Sequence, residues 1–298
     1  MIEYLSDLLK RKEVEFYENV SISGLSSMRL DATCRYLVYP DSANALLDTL
    51  ALCISMGVKH QVVGRMSNVL PAARFYDGVL IKTDKLQGKS SADNVCRLEC
   101  GVRFSTAVSF MARKNYGGGE ALFHIPASVG GMVYSNAGAY GTEISDLFES
   151  AVVFDNATGK MATLGKKEMA FGYRTSILRK RPLTLLSAKL SFVPVAMEHI
   201  FAEIHRLGAI RQKSQPLNLP SLGSIFKAHK GVGAGFYIDR AGLKGVRLGG
   251  ASVSEKHAGF IVNNGSATPE DVIGLIDLIK SRVMSLFGVE LDTEVQII

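Results

Sequence analysis

The chain has few cysteines, no C-x-x-C pair and no long uninterrupted apolar run. Its 298 residues include four cysteines, none with a histidine at metal-ligand spacing: Cys34, Cys53, Cys96 and Cys100. This pattern predicts buried, reduced thiols in a reducing compartment and no metal site. The most apolar segment, residues 43–58, contains Asp48 and is shorter than the roughly 20 residues of a membrane helix. We therefore expect a soluble protein that does not bind a membrane.

The sequence also shows neither the pattern of an export signal nor that of a polyanion-binding tract. Residues 1–15 carry Glu3, Asp7 and Glu13, whereas a signal peptide needs a basic start and an uninterrupted apolar stretch. The formal net charge is +6, but the densest basic cluster, residues 10–12, is followed directly by Glu13. We therefore expect a cytoplasmic protein without a nucleic-acid partner. The modest positive charge would suit a nucleotide or phosphate substrate.

Alternating strand-like and helix-like runs indicate a mixed α and β protein. At 47% hydrophobic residues, the chain can bury a sizeable core and exceeds the size at which one core usually divides. Pro194 follows a strand-like run and precedes a helix predicted to end near Arg211, so it marks a candidate domain boundary. The periodicity of the first half predicts alternating elements, namely a strand at 36–39, a helix at 43–56, a strand at 61–63 and a helix at 104–114.

The clearest predicted helix begins at Thr268. Thr268 and Asp271 form the pattern of a capping box, and Pro269 occupies the first helical position. We expect this helix to end at Gly288, which can adopt the backbone conformation that terminates helices. One helical face carries the apolar residues Val272, Leu275, Ile276, Ile279, Val283 and Leu286.

The centre of the chain is rich in glycine, and residues 125–141 read IPASVGGMVYSNAGAYG. The run contains too much glycine for an ordinary core helix. Gly130, Gly131, Gly138 and Gly141 permit a ligand to approach the backbone, so that amide N–H groups can face a phosphate or a ring. A cofactor cradle and a series of tight turns both explain the glycine content. No G-x-G-x-x-G lies between a strand and a helix, so a Rossmann dinucleotide site is not predicted.

Five blocks in a fixed order resemble one enzyme family. They are the run at 125–141, FGYRTS at 171–176, QPLNLPSLGSIFK at 215–227, AGLKG at 241–245 and EVQII at 294–298. In content and order they resemble the UDP-N-acetylenolpyruvoylglucosamine reductase family. The resemblance covers most of the chain from about Gly24 and is tightest after Gln215. The short stretch between Arg174 and Ser224 is similar to the class that lacks an additional substrate-covering loop.

The resemblance implies a fold, a reaction and a set of partners. The fold is α+β, with a PCMH-type FAD-binding part of two flavin-binding subdomains (1–95 and 96–194) and a C-terminal α+β substrate-binding domain (195–298). The implied reaction passes a hydride from NADPH, the co-substrate, through FAD to the enolpyruvyl group of a UDP-sugar. Its product is UDP-N-acetylmuramate, a precursor of peptidoglycan. The expected partners are these small molecules, and the expected state is a monomer.

Three residues are implied as catalytic. Hydride addition leaves negative charge on the carbon that bears the substrate carboxylate, so the site needs a cation near it and an acid to protonate it. Arg174 in FGYR matches the family arginine that stabilises this charge through a planar cation. Ser224 matches the proton donor, and Glu294 matches a glutamate that assists it. Taken alone, each has an ordinary alternative, which is a surface arginine, a turn serine and a solvated terminal acid.

Further residues are implied as ligands of the two small molecules. The candidate substrate contacts are Tyr173, Lys227 and His257. The candidate FAD contacts lie mostly in the loop at 64–68 and the glycine-rich run, and they are Gly64, Ser67, Asn68, Pro126, Ser128, Gly130, Asn136, Gly138, Ala139, Tyr140, Gly141 and Arg211.

The chain departs from the family pattern at several glycines. The family pattern has a glycine run before Ser-Asn, and the corresponding residues of this chain are Gly64, Arg65 and Met66. The two larger residues add bulk and a charge where the family backbone meets the flavin diphosphate. A Gly-Ile-Pro-Gly motif becomes residues 124–127, His-Ile-Pro-Ala, and an early Gly-Gly becomes Asp-Ala at 31–32. Alanine at 228 replaces a frequent asparagine.

Two other functions are compatible with parts of this pattern. One is a different PCMH-type flavin oxidase, because flavin domains are shared more widely than the third domain. The other is a non-catalytic relative that binds a UDP-sugar, suggested by the altered loop at Gly64. The blocks around Arg174, Ser224 and Glu294 favour the reductase over both.

Overall fold

The structure is a computed structural model that describes residues 4–298, so the first three residues of the predicted N-terminal subdomain lie outside the described part. Short 3₁₀ turns lie at Glu120–Leu122 and Ile177–Arg179. The described residues form eight α-helices, which are α1 (Leu5–Arg11), α2 (Ala43–Ser55), α3 (Phe104–Ala112), α4 (Val129–Ser135), α5 (Ile144–Leu147), α6 (Met197–Ser214), α7 (Ala234–Arg240) and α8 (Pro269–Phe287).

Nineteen strands accompany the helices in the described range. Those before residue 120 are β1 (Glu15–Ser21), β2 (Thr33–Tyr39), β3 (His60–Val63), β4 (Val69–Leu70), β5 (Phe75–Lys82), β6 (Lys89–Ala92), β7 (Val95–Glu99) and β8 (Tyr116–Gly117). The later ones are β9 (Gly138–Ala139), β10 (Thr142–Glu143), β11 (Phe148–Asp155), β12 (Lys160–Gly165), β13 (Leu183–Ser191), β14 (Val193–Pro194), β15 (Ser221–Ser224), β16 (Arg247–Leu248), β17 (Ala251–Val253), β18 (Phe260–Asn263) and β19 (Gln296–Ile297).

The chain divides into two compact units, which we call unit 1 and unit 2. Unit 1 contains the described residues up to Tyr17, then Tyr36–Arg65 and Gly78–Ala209. Unit 2 contains Glu18–Arg35, Met66–Asp77 and Ile210–Ile298. The boundaries between the two units fall within β1, β2, β5 and α6 and between Arg65 and Met66. The three-part division at residues 95 and 194 stays a prediction.

Unit 1 is organised around a five-stranded sheet of order β12-β11-β13-β7-β6. The central strand β13 pairs antiparallel with β11 and β7, and most of its residues are buried. Helix α4 packs against β13 and β7. Its buried residues Val129, Met132 and Val133 join the core of this unit together with Leu98 of β7 and Val153 of β11.

The expectation that the glycine-rich run would not form a core helix was wrong. Residues 129–135 form α4, whose apolar face is fully buried. Glycine at position 130 lets the helix approach the Cys100 carbonyl oxygen closely, because a Cβ there would lie only 3.1 Å from that oxygen. The Gly130 N–H donates to that same oxygen at 2.8 Å. Close packing against β7 therefore compensates for the low helix propensity of glycine.

Unit 2 contains an antiparallel sheet of order β15-β18-β17-β16, on which α8 packs. The Thr268 hydroxyl accepts a hydrogen bond from the Asp271 N–H, and an Asp271 carboxylate oxygen accepts from the Thr268 N–H. Gly288 follows the helix with φ of 65°. The predicted capping box, start and end are therefore confirmed. Most of the predicted apolar face is buried, whereas Leu286 is largely exposed.

The other predicted elements agree with the structure to within a few residues. Helix α2 ends one residue before the predicted position 56, and α3 ends two residues before position 114. The helix predicted to end near Arg211 continues to Ser214. Strands β2 and β3 contain the predicted runs at 36–39 and 61–63.

The four cysteines are buried and unpaired with one another, as predicted. Burial raises the pKa of the Cys53 thiol to about 12, so this thiol stays protonated at neutral pH. Over residues 4–298, no helix combines the length and the apolar character that crossing a membrane would need.

Removing the cap of α8 should loosen that helix. We expect Thr268→Ala to lower the opening free energy of α8 by about 1 kcal/mol, because an N-cap hydroxyl that satisfies a free backbone N–H is lost. Amide hydrogen exchange of α8 measures this change. Thr268→Ser keeps the acceptor oxygen and should exchange like the parent protein. Equal exchange in the alanine variant would contradict the role of the cap.

Candidate active site

Arg174 lies at the tip of a tight turn in unit 1. Gly172 and Thr175 bridge the turn through two backbone hydrogen bonds of 3.0 and 3.1 Å. Arg174 has φ of 54°, in the left-handed region that costs a residue with a Cβ about 1–2 kcal/mol. A strained backbone of this kind persists only where the surroundings hold it, and such positions cluster at functional sites.

The Arg174 guanidinium is held against the glycine-rich run. Its Nη2 donates to the Gly138 carbonyl oxygen at 2.9 Å, and its Nη1 lies 4.0 Å from Oε1 of Glu143. A Cβ at Gly138 would lie 3.1 Å from Arg174 Nη1. The guanidinium carbon also lies 5.0 Å from the ring centroid of Tyr173, which is half exposed. Glycine at 138 therefore permits the close approach of the arginine.

Asn136 connects three segments of unit 1 through one buried side chain. It ends α4 with φ of 45° and is 1% exposed. Its Nδ2 donates to Glu143 Oε2 at 2.7 Å and to the Gly172 carbonyl oxygen at 3.0 Å. Its Oδ1 accepts from the Ser145 N–H at 3.2 Å. The predicted FAD contact Asn136 thus uses its side chain to join the end of α4 to the Arg174 turn.

A β-hairpin with a two-residue loop follows Asn136. Strands β9 and β10 pair through Ala139 with Thr142 and Gly138 with Glu143. Tyr140 and Gly141 form the loop with φ of 50° and 80°, the signature of a type I′ turn. Both are exposed, and a Cβ at Gly141 would meet nothing within 4 Å.

The start of the glycine-rich run lies against the loop at Gly64. A Cβ at Gly64 would lie 2.2 Å from the Ser128 hydroxyl oxygen. That hydroxyl caps α4 by accepting from the Gly131 N–H at 3.4 Å. Two predicted FAD contacts that are 64 positions apart are therefore neighbours in unit 1, whereas the nearby Pro126 is exposed.

A buried lysine pairs with a partly exposed aspartate beneath the Gly64 loop, and the sequence interpretation missed this pair. Lys82, at the end of β5, is 1% exposed, and its Nζ donates to the Gly64 carbonyl oxygen at 2.8 Å. Nζ also lies 3.2 Å from Oδ2 of Asp84, which in turn lies 3.9 Å from Nη1 of Arg65. Burial lowers the pKa of Lys82, and the Asp84 carboxylate opposes that shift. The added charge of Arg65 therefore has a carboxylate partner within unit 1.

The side chains of Ser224 and His257 both lie close to Gly259 in unit 2. A Cβ at Gly259 would lie 3.2 Å from both Ser224 Oγ and His257 Nδ1. The Gly259 N–H donates to Nδ1 at 3.1 Å, so a neutral His257 carries its proton on Nε2. Burial lowers the pKa of His257, which favours this neutral form. The predicted proton donor and a predicted substrate contact are therefore neighbours.

The C-terminal segment is anchored beside Ser224. The Glu294 N–H donates to the Ile225 carbonyl oxygen at 2.8 Å, and the Lys227 N–H donates to Asp292 at 2.9 Å. Strand β19 pairs parallel with β4, as the prediction of a terminal strand required. Val295 is buried, which also agrees with the prediction, whereas Ile297 is exposed.

The remaining predicted contacts also have defined positions. The Asn68 Nδ2 donates to the Glu294 carbonyl oxygen at 3.2 Å, so a predicted FAD contact holds the backbone of a predicted catalytic residue. Ser67, partly buried, precedes Asn68 in the same loop. Arg211 lies in the last turn of α6 and is half-buried.

Each unit thus brings together a different group of predicted residues. Unit 1 gathers Arg174 and Tyr173 with the glycine-rich run and Gly64. Unit 2 gathers the C-terminal candidates, which are Ser224, Lys227, His257 and Glu294, with Asn68. The interpretation of the sequence missed Lys82. The apolar run VLIK ends in this lysine, and because an unpaired charge is rarely buried, its position could have indicated a carboxylate partner.

Comparison with known proteins identifies the family. The model of the UDP-N-acetylenolpyruvoylglucosamine reductase C-terminal domain matches residues 215–298, and that of an FAD binding domain matches residues 34–165. A UDP-N-acetylenolpyruvoylglucosamine reductase from Caldicellulosiruptor bescii is 38% identical over 292 residues, 97% of this chain and 93% of the relative. The chain belongs to the UDP-N-acetylenolpyruvoylglucosamine reductase family. A relative of the same name from Thermotoga maritima is 37% identical over 91% of this chain and 95% of its own.

A solved structure agrees with this assignment. The UDP-N-acetylenolpyruvylglucosamine reductase (MurB) from Thermus caldophilus matches with a TM-score of 0.79 at 28% identity, covering 95% of this chain and 98% of its own. This match and the FAD-binding domain confirm the predicted α+β fold of the PCMH type and the predicted cofactor.

The residues of unit 1 fit an FAD. The exposed Gly141 leaves backbone uncovered, because an added Cβ there would meet nothing within 4 Å. Uncovered glycine backbone is what a phosphate group needs to reach amide N–H groups.

The contact between Gly64 and Ser128 supplies a test of the FAD site. We expect Gly64→Ala to weaken FAD binding about tenfold, because the new methyl group displaces either the loop or the cap of α4. Fluorescence titration of the FAD-free protein measures the dissociation constant. Gly24→Ala is the control, since a Cβ there meets nothing within 4 Å.

A second substitution checks the proposed cause. Ser128→Ala removes the atom 2.2 Å away and leaves the Ser128 Cβ at 3.2 Å. Because Ser128 is itself a predicted FAD contact, the comparison starts from the Ser128→Ala variant, in which Gly64→Ala should weaken FAD binding less than it does in the parent protein. Unchanged affinity in Gly64→Ala would show that this loop does not position the FAD.

Proposed function

We propose that this chain reduces UDP-N-acetylglucosamine enolpyruvate to UDP-N-acetylmuramate with electrons from NADPH, and so supplies a peptidoglycan precursor in the cytoplasm. Bound FAD supplies the hydride transfer between the two substrates. The observation that best supports this proposal is the arrangement around Ser224. Its hydroxyl lies close to Gly259 and His257, and the Glu294 N–H donates to the carbonyl oxygen of Ile225, the residue after Ser224. We further propose that the chain acts as a monomer.

Arg174 stabilises the negative charge that develops on the substrate. When a hydride adds to the terminal alkene carbon, charge accumulates on the carbon that bears the carboxylate and spreads into that carboxylate. A guanidinium stays charged at every working pH and presents a planar set of donors that matches a carboxylate. Arg174 is already fixed through Gly138, so little reorganisation accompanies the reaction.

Ser224 donates the proton that completes the reduction. A serine hydroxyl is a weak acid, so it serves only a strongly basic carbanion, and its position matters more than its acidity. Glu294 assists by hydrogen bonding near that hydroxyl, and the anchored C-terminal segment keeps it in place. Tyr173, Lys227 and His257 contact the UDP-sugar.

We assign the FAD contacts to three stretches of the chain, which are the loop at 64–68, the glycine-rich run and the end of α6. They are Gly64, Ser67, Asn68, Pro126, Ser128, Gly130, Asn136, Gly138, Ala139, Tyr140, Gly141 and Arg211. Arg65 adds positive charge next to this set, and Asp84 limits its movement.

Substrate-dependent turnover tests the function directly. Purified protein should be yellow, or turn yellow with FAD, and should oxidise NADPH much faster when UDP-N-acetylglucosamine enolpyruvate is present. A flavin-containing protein without that dependence would be another flavin oxidase. A protein that binds the UDP-sugar but not FAD would be a non-catalytic relative.

Replacing Ser224 should separate the two half-reactions. We expect Ser224→Ala to keep flavin reduction by NADPH within about twofold and to slow reoxidation by the enolpyruvyl substrate roughly 10²-fold or more, because only the second step needs the proton. Stopped-flow absorbance follows both steps. Ser221→Ala, a change in the same strand, is the matched control. Equal loss of both steps would mean that Ser224 has a structural role.

A further inference from the structure

We infer that Arg179 is a positioning residue for Arg174, which holds the strained turn so that the Arg174 guanidinium faces the substrate. The inference rests on the proposed catalytic role of Arg174. Arg179 lies five residues downstream, in the short turn Ile177–Arg179. No sequence motif of the family pointed to it.

The contact between the two arginines runs through the backbone. Nη1 of Arg179 donates to the Arg174 carbonyl oxygen at 2.9 Å. Because Arg174 has a positive φ, its peptide groups tend to return to a more common orientation unless each is held. A charged donor on the carbonyl of the strained residue opposes that rotation, and such bonds are stronger than neutral ones.

Arg179 is itself fixed on helix α4. Its guanidinium carbon lies 5.3 Å from the ring centroid of Tyr134, in the last turn of that helix. The fully buried Ser176 donates from its hydroxyl to the Tyr134 carbonyl oxygen at 2.9 Å, and the Arg179 N–H donates to the Ser176 carbonyl oxygen at 3.1 Å. A stacked guanidinium with a fixed backbone can act as a rigid support.

The other side of the turn is held from the same helix. Asn136 Nδ2 donates to the Gly172 carbonyl oxygen, on the opposite strand of the turn from Arg179. The two contacts therefore hold two carbonyl groups of the turn, those of Gly172 and Arg174. Asn136 ends α4 and Arg179 packs on Tyr134 of α4, so both supports link the position of Arg174 to the C-terminal end of that helix. Loss of Arg179 would leave the charge of Arg174 in place but free its backbone.

Arg179→Met tests the inference in the holoenzyme. Flavin reduction by NADPH should stay within about twofold, whereas reoxidation by UDP-N-acetylglucosamine enolpyruvate should slow roughly 10- to 100-fold, as expected for a misplaced catalytic group. The loss should appear in kcat with little change in KM. Arg179→Lys should recover part of the rate, because an ammonium can donate one hydrogen bond but cannot stack as a plane.

Lys180→Met is the matched control for charge. Lys180 is the next residue and is exposed, and the variant removes the same positive charge without touching the Arg174 carbonyl. It should behave like the parent protein. An equal effect of both variants would mean that Arg179 acts only through its charge, and would overturn the inference.

A double-variant cycle distinguishes positioning from an independent role. In an Arg174→Lys background, Arg179→Met should cost far less than it does alone, because the group that it positions is already altered. Additive losses, or equal losses in the two half-reactions, would overturn the inference.

Amide hydrogen exchange supplies a readout without turnover. In the FAD-free protein, Arg179→Met should speed exchange of the Thr175 N–H, which donates to Gly172 across the turn, by about tenfold or more. Unchanged exchange would reject the support of the turn. If the parent protein shows no reaction with the enolpyruvyl substrate, the proposed function fails, and exchange alone decides whether Arg179 holds this turn.

Discussion

The Arg174 turn of unit 1 and the hairpin beside it depend on the buried side chain of Asn136. Asn136 ends helix α4, and its side-chain amide donates to Glu143 of the hairpin and to the Gly172 carbonyl oxygen of the Arg174 turn. The left-handed backbone of Asn136 is what turns the chain from the helix into the hairpin, and asparagine tolerates that conformation better than most residues. The segment suited to FAD and the residue suited to stabilise substrate charge therefore share one support.

Strain and close packing are concentrated in the same region. Asn136, Tyr140 and Arg174 all have positive φ, and Gly138 lies so close to Arg174 that a methyl group would crowd its guanidinium. The conformations of Asn136 and Arg174 are unfavourable alone, and side-chain hydrogen bonds with neighbouring segments maintain them. A side chain held this way needs little reorganisation when a ligand arrives, which suits the role proposed for Arg174.

Departures from the family pattern have partners in distant parts of the sequence. Arg65, where a glycine is usual, lies near the carboxylate of Asp84, which also binds the buried Lys82. His124, another replacement for glycine, donates from Nε2 to the Ile204 carbonyl oxygen at 2.9 Å. A Cβ at Gly208 would lie 2.8 Å from that same nitrogen, so the missing side chain on α6 makes room for the histidine. Arg65 and His124 therefore each have a partner within unit 1.

The sequence by itself determined the features that depend on neighbours along the chain. Helix α8 follows from Thr268, Asp271 and its apolar spacing, because a capping box acts over one helical turn. The family blocks indicated Arg174, Ser224 and Glu294 and the FAD-binding fold. Only the tertiary structure decided that residues 129–135 of the glycine-rich run form a core helix, because burial of its apolar face and the close contact of Gly130 with Cys100 outweigh glycine propensity. The supports provided by Lys82 and Asn136 likewise join residues 18 and 36 positions apart, and no local pattern encodes contacts that only the folded chain brings together.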